Sequence, residues 1–91
     1  MFIGYEQRLV VAAAQTAAVL NIPAGATGAV LQADVQNVRY TMDNATDPTQ
    51  ILGMVLAVGL PAEQFLIEDL MRIRFCRGAA ADAMLNIHYW R

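Results

Sequence analysis

The most regular feature of the chain is an alternation of apolar and polar side chains with a period of two. It occurs in residues 38–42 (VRYTM), 72–75 (RIRF) and 85–89 (LNIHY). Successive side chains of a β-strand point to opposite faces, so this alternation is typical of a strand with one buried and one wet face. The last two strands are predicted to turn Ile73, Phe75, Leu85, Ile87 and Tyr89 inward and Arg72, Arg74, Asn86, His88 and Trp90 outward.

Turn-forming residues separate these segments at the short spacing that all-β domains show. The turn signals are Pro23-Ala24-Gly25, Asp43-Asn44, Asp47-Pro48, Gly59-Leu60-Pro61 and residues 78–82. Further strands are predicted at 17–22, 29–32, 54–58 and 64–67. About seven short strands in fewer than 100 residues predict an all-β fold, a small antiparallel two-sheet sandwich that is jelly-roll-like.

Two segments fit either a strand or a helix. Residues 10–20 are rich in alanine, which favours a helix, but no capping residue follows Arg8 and a proline turn ends the segment. Residues 61–71 begin with a proline and an acidic first turn, as helices do. We interpret the first segment as strands and the second as strand, turn and strand.

Length and composition indicate one domain with an excess of apolar residues. The chain has 91 residues, which corresponds to a radius of gyration of roughly 12 Å. Apolar residues make up 57% and charged residues 15% of the chain, which excludes intrinsic disorder. A domain this small leaves part of that excess on its surface, so we expect a homo-oligomer or docking onto another protein. Residues 9–91 are predicted to form the sandwich domain, and residues 1–8 an N-terminal arm or edge strand.

The residue types that are absent exclude several classes of site. The chain has no Lys and no Ser, one Cys and one His, so a serine triad, a P-loop lysine, a disulfide and a multi-Cys or multi-His zinc site cannot form within it. The net charge of −2 lacks the basic surplus of nucleic-acid-binding proteins. We expect no cofactor and no nucleic-acid partner.

The longest stretch without charge, residues 9–33, is long enough to span a membrane. It contains polar residues and the turn at 23–25, which stop a continuous apolar helix. A signal peptide begins with a positively charged region, but here the charge of Glu6 cancels that of Arg8 before the apolar run. The start of the chain therefore does not match a signal peptide. We therefore expect no membrane partner and a protein made and used without secretion.

Two candidate chemical sites have simpler explanations. Cys76 and His88 are the one possible nucleophile–base pair, and they would lie on adjacent strands if residues 72–89 formed a hairpin. No orienting group or oxyanion site is visible, so we interpret Cys76 as an inert buried thiol. Asp43, Asn44, Asp47 and Gln50 offer oxygen ligands in one loop, but Pro48 stands where a calcium loop of the EF-hand type needs glycine. Asx turns explain these residues without a metal.

Two groups of residues are candidates for an interface. Arg72, Arg74 and Arg77 hold half of the basic residues and form either a solvated face that pairs with Glu63, Glu68 or Asp69, or a docking stripe. The N-terminal segment with Phe2 and Tyr5 is either an edge strand or an arm that reaches a neighbour. Trp90, beside His88 and Arg91, is either an anchor at the interface or a cap on the sandwich. The predicted interface residues are Phe2, Tyr5, Arg72, Arg74 and Trp90.

The order of segments resembles that of small β-sandwich virion proteins of tailed bacteriophages, over nearly the whole chain. The resemblance is carried by the opening MFIGYEQR, the turn IPAGAT at 22–27, and the segments AVLQAD at 29–34, VRYTMD at 38–43, RIRF at 72–75 and LNIHY at 85–89. It implies a capsid cement or decoration protein, which sits on the assembled shell as a dimer or trimer and clamps neighbouring capsomers. The implied partner is the major capsid protein and the implied location is the capsid exterior. No catalytic motif is implied.

The sequence thus leads to two hypotheses. The first is a non-enzymatic structural protein that oligomerises and stabilises a phage capsid. The alternative is a receptor- or carbohydrate-binding module associated with a tail or neck, in which loops carry the function. Exposed aromatic platforms would favour the alternative, but most of the aromatic residues fall on alternating strand positions that a core would use.

Overall fold

The computed structural model of the chain describes all 91 residues. Eight strands account for most of the regular structure, together with one turn of α-helix and one turn of 3₁₀-helix. The strands are β1 (Phe2–Val10), β2 (Gln15–Thr16), β3 (Gly28–Asp34), β4 (Val38–Thr41), β5 (Met54–Leu56), β6 (Glu63–Leu66), β7 (Arg74–Arg77) and β8 (Ala83–Trp90), and the helices are the 3₁₀ turn Ala17–Val19 and α1 (Ile67–Leu70).

The strands form two antiparallel four-stranded sheets. The first, sheet A, has the order β1-β8-β3-β6, and the second, sheet B, has the order β2-β7-β4-β5. The radius of gyration is 11.9 Å. The predicted small all-β sandwich is confirmed.

The core lies between the two sheets and takes the inward side chains of both. Phe75 and Ile73 come from β7 and the turn before it, and Leu85, Ile87 and Tyr89 come from β8. All five are buried, as the alternation predicts, because a one-residue change of register would turn the whole apolar row to solvent.

The prediction of a strand at 17–22 is wrong. The side-chain oxygen of Thr16 accepts a hydrogen bond from the amide of Ala18 at 3.3 Å and caps a 3₁₀ turn at Ala17–Val19. Leu20, at the end of that turn, is buried in the core. The helix considered for residues 10–20 does not form. The interpretation of this segment as strands is right in part, because Val10 pairs within β1 and Gln15 and Thr16 pair with β7.

The interpretation of residues 61–71 as strand, turn and strand is half right. β6 forms, but the chain then makes α1 instead of a second strand. The amide of Ile67 donates to the carbonyl of Thr27 at 2.9 Å, and Leu70 is fully buried. One helical turn brings Leu70 into the core, which an extended segment at the sandwich end would not do.

Strand β7 begins two residues later than predicted, and this separates the two arginines. Arg74 is the first residue of β7, whereas Arg72 lies in the turn between α1 and β7. The prediction that they share one strand face is therefore wrong. The hairpin of residues 72–89, which would have placed Cys76 and His88 on adjacent strands, does not form, because β7 belongs to sheet B and β8 to sheet A.

Candidate functional site

The outer surface of sheet A is built from three cross-strand rows of side chains. Pairing of β1, β8 and β3 aligns Phe2 with Trp90 and Gly28, Tyr5 with His88 and Val30, and Gln7 with Asn86 and Gln32. Directly opposite residues in an antiparallel sheet point to the same side. We call this surface, with Phe2, Tyr5, His88 and Trp90, the aromatic face.

The aromatic rings pack on one another and stay accessible. Phe2 stacks on His88 with ring centres 4.2 Å apart, and Tyr5 meets the edge of His88 at 5.8 Å. Phe2 is 53% exposed and Tyr5 61% exposed. Trp90 is half-buried because it lies across Gly28, where an added Cβ would come within 2.1 Å of the indole ring. Trp90 therefore belongs to the aromatic face and does not cap the sandwich.

The amide row next to the rings has a fixed orientation. The Oδ1 atom of Asn86 accepts one hydrogen bond from the hydroxyl of Tyr5 and one from Nε2 of Gln7, both at 2.9 Å. The amide nitrogen of Asn86 is thereby turned away from β1 and towards β3. Between the two rows lies a depression of about 170 Å³, lined by Tyr5, Val30, Gln32, Ala62, Asn86 and His88.

A carboxylate on the inner side of β1 supports the aromatic face. Glu6 accepts hydrogen bonds from the amide of Asn21 at 2.8 Å, from Arg8 at 3.0 Å and from the hydroxyl of Tyr89. Burial and this contact with Glu6 raise the pKa of Tyr89 well above its usual value. An inward-pointing charge with partners holds the edge strand in register and discourages pairing with another chain.

A second exposed surface lies at the opposite sheet. Residues 51–60 (ILGMVLAVGL) contain no polar side chain, and in this segment only Leu56 is buried. Ile51 is 90% and Met54 64% exposed. We call the exposed side chains of this segment the apolar ledge: Ile51, Leu52, Met54, Val55, Val58 and Leu60.

The apolar ledge surrounds β5, the outermost strand of sheet B. Its shape is set by hydrogen bonds to its backbone from outside the segment. Arg39 donates to the carbonyl of Gly53 at 2.8 Å, and the amide of Val58 donates to Oδ1 of Asn37 at 2.9 Å. Gly53 has φ +116°, a backbone conformation that other residues rarely adopt. The exposed side chains therefore stand on an ordered backbone with one free strand edge.

The arginines of the predicted docking stripe do not act together. Arg74 reaches into the loop after β4, where it donates to the carbonyls of Asn44 and Ala45, both at 3.0 Å, and to Asp47 at 2.8 Å. Arg77 pairs with Asp82 at 2.6 Å. The predicted pairing with Glu63, Glu68 or Asp69 is wrong for both, because Arg74 and Arg77 pair with Asp47 and Asp82 instead. The side chain of Arg72 is exposed and lies in the turn before β7.

The acidic loop at residues 43–50 uses its oxygens for its own structure. Asp43 accepts from the amides of Ala45 at 3.0 Å and Thr46 at 2.8 Å, and from the hydroxyl of Thr46 at 2.6 Å. These hydrogen bonds, with that from the Thr46 hydroxyl foremost, lower the pKa of Asp43 to about 2. The guanidinium of Arg74 donates a hydrogen bond to the carboxylate of Asp47. The loop is therefore an Asx turn that Arg74 links to strand β7.

Cys76 and His88 lie on different sheets. Cys76 is buried on the outer side of β7, opposite Arg39 of β4, and His88 is exposed on the aromatic face. Burial raises the pKa of the Cys76 thiol, which disfavours the reactive thiolate. Nucleophilic catalysis needs the two groups within hydrogen-bond reach, and this fold does not bring them together.

The structure thus unites part of the predicted interface. Phe2, Tyr5 and Trp90 meet on the aromatic face, although they come from opposite ends of the chain, whereas Arg72 and Arg74 lie elsewhere. The N-terminal segment is the edge strand β1, and the boundary drawn between residues 8 and 9 falls inside it. The sequence patterns considered above did not identify the apolar ledge as a candidate interface. Its signal in the sequence is the run of ten residues without a polar side chain.

No family model matches the chain, and no curated protein or solved structure matches it either. None of its helices has the length and apolar character needed to cross a membrane.

Proposed function

We propose that the protein is a non-enzymatic structural component of a tailed-phage virion, of the capsid cement or decoration type. It binds the outside of the assembled shell through the major capsid protein and stabilises it. The apolar ledge is the observation that carries this proposal. Six exposed apolar side chains within ten residues of a small domain indicate a place that another protein covers.

The composition of the ledge matches the core of a protein–protein interface. Such cores are apolar and depleted of charge, and residues 51–60 have neither a charged nor a polar side chain. The free edge of β5 adds unpaired backbone donors and acceptors that a partner strand can use. The partner is therefore a protein surface with a matching apolar patch, and the net charge of −2 gives no attraction for nucleic acid.

Self-association is part of the proposal. In the purified protein the apolar ledge has no shell partner and is exposed to water. The apolar ledge of a second copy can cover it. We expect the purified chain to form a homo-oligomer, a dimer or trimer, with a sedimentation mass above the 9.9 kDa of one chain.

A non-enzymatic role is supported by the positions of the reactive groups. The thiol of Cys76 is buried in sheet B, and the imidazole of His88 packs between Phe2 and Tyr5 on the other sheet. Neither group has a partner that would activate it as a nucleophile or a base.

The test uses purified particles of the virus that encodes the chain. Mass spectrometry should find the chain at a fixed ratio to the major capsid protein, and cryo-electron microscopy should show its density outside the shell with residues 51–60 facing the shell. Density confined to the tail or neck would favour the alternative binding module. Absence of the chain from the particles would refute a virion role.

A further inference from the structure

We propose that the depression on the aromatic face binds one neutral sugar ring. This inference does not depend on the capsid proposal, because the depression is built on sheet A, whereas β5 at the centre of the apolar ledge belongs to sheet B. The two surfaces meet at Leu60, whose carbonyl accepts a hydrogen bond from Gln32 at 3.5 Å. It depends on three properties of the depression: the chemistry of its walls, the hydrogen-bonding groups that point into it, and the absence of charge from its lining.

The walls of the depression combine aromatic and aliphatic surface. Tyr5 and His88 stand on one side, and Val30 and Ala62 provide apolar contact. Phe2 covers one face of His88, so the aromatic surface open to a ligand is mainly the ring of Tyr5. The faces of aromatic rings carry a negative quadrupole, and the weakly positive C–H groups of a pyranose pack well against such a face. The volume of about 170 Å³ is below the roughly 300–1,000 Å³ of pockets for drug-sized ligands, which restricts the site to a single ring.

Two amide groups in the depression have unused hydrogen-bonding capacity. Asn86 is held by the two hydrogen bonds that its Oδ1 accepts, and its Nδ2 donates to no group of the protein. Gln32 donates weakly through Nε2 to the carbonyl of Leu60 at 3.5 Å, which leaves its Oε1 as a free acceptor. A held donor and a free acceptor on paired residues match the hydroxyl groups of a sugar, each of which both donates and accepts.

The lining carries no carboxylate and no guanidinium. An anionic ligand would find no arginine or lysine to pair with, only the imidazole of His88, and a cationic ligand would find no carboxylate. A neutral polyhydroxylated ring is the ligand class that uses both the aromatic walls and the amides. The ring can come from a free monosaccharide or from the end of a glycan, and methyl glycosides distinguish these sources because their anomeric oxygen is substituted as in a glycan.

The experiment is a titration of the isotopically labelled chain followed by amide NMR shifts. The probes are D-glucose, D-galactose, D-mannose, N-acetyl-D-glucosamine and their methyl α- and β-glycosides, each up to about 50 mM, a range suited to the millimolar dissociation constants expected of a small, open site. At least one sugar should give saturable shifts in the amides of residues 30–32 and 86–88. Methyl glycosides that bind as well as the free sugar assign the site to a glycan end, and loss of their binding assigns it to the free sugar.

The decisive variant is Asn86→Asp, which keeps the oxygen that Tyr5 and Gln7 use and removes the amide donor. It should weaken sugar binding at least tenfold, and Gln32→Met should weaken it similarly. Gln64→Glu is the matched control, because it adds the same charge on the same face without removing a group from the depression, and it should bind as the unmodified chain does. Linear, unsaturable shifts with every sugar, equal binding in Asn86→Asp and Gln64→Glu, or preferential binding of acetate or inorganic phosphate would overturn the proposal.

Discussion

The two exposed hydrophobic surfaces of the protein differ in what lies between their apolar side chains. On the aromatic face, a row of amides lies next to the rings, with Asn86 held by two hydrogen bonds, and Glu6 holds strand β1 in place from its inner side. On the apolar ledge no polar side chain interrupts residues 51–60, and β5 has a free edge. A surface with spaced, oriented polar groups suits a small polar ligand, whereas an uninterrupted apolar surface suits a dry contact with another protein.

Introducing negative charge on the apolar ledge should have the largest effect, a loss of attachment to particles. Ile51→Glu together with Met54→Glu replaces exposed side chains, so the fold should persist, but each carboxylate would be buried without a partner in the contact at a cost of several kcal/mol. We expect at least a hundredfold loss of attachment to particles, and a lower sedimentation mass if the ledge also joins copies. Gln64→Glu with Leu66→Glu on sheet A is the control and should remain attached. Equal loss in both double variants would show that the two surfaces do not have separate roles.

Removal of the carboxylate beneath the aromatic face should have the next largest effect. Glu6→Ala leaves the hydroxyl of Tyr89 and the guanidinium of Arg8 without their partner, and we expect a loss of about 2–4 kcal/mol in the free energy of unfolding. Chemical denaturation measures this loss, and hydrogen exchange should increase in β1 more than in β5. Glu63→Ala, at an exposed carboxylate 3.4 Å from the hydroxyl of Tyr40, should cost less than half as much. Comparable losses would mean that Glu6 has no special supporting role.

Replacing Arg74, which binds the loop before the apolar ledge, should have a smaller effect on the free energy of unfolding. Arg74→Ala removes three hydrogen bonds to residues 44–47, and we expect a loss of about 1–2 kcal/mol with faster hydrogen exchange in that loop. Arg72→Ala removes an exposed side chain without a partner and should change stability by less than about 0.5 kcal/mol. A docking stripe predicts instead that both variants reduce attachment to particles by the same factor.

The pH dependence of the same loop should be the smallest effect. The pKa of Asp43 is about 2, below its usual value of 3.8, so its hydrogen bonds stabilise the folded chain fully above about pH 4 and are lost as pH falls through about 2. The carboxyl ¹³C shift of Asp43 should titrate with a midpoint near 2, and the amides of Ala45 and Thr46 should follow it while those of the aromatic face do not. In Asp43→Asn the two loop amides should lose this pH dependence; if they keep it, another group is responsible.

Much of the local structure could be predicted because its causes lie within a few residues. The period of two assigned Leu85, Ile87 and Tyr89 to the core and Asn86, His88 and Trp90 to the outer face, as the structure has them. Asp43 forms the predicted Asx turn with residues two and three positions later. For residues 67–70 we preferred a strand to the short helix α1. The carbonyl of Thr27, which accepts the hydrogen bond from the first amide of this helix, is forty residues away in the sequence.

By itself the sequence determined the faces of the strands, the turns between them and the one-domain, all-β class, because side-chain alternation and turn chemistry are local properties. Only the tertiary structure decided which sheet each strand joins. The pairing of the strands places Cys76 and His88 on different sheets and lets Arg74 bind Asp47. It also brings Phe2 and Tyr5 together with His88 and Trp90 from the other end of the chain. Strand pairing depends on how the apolar faces of distant segments fit together in one core, and no short window of sequence contains that information.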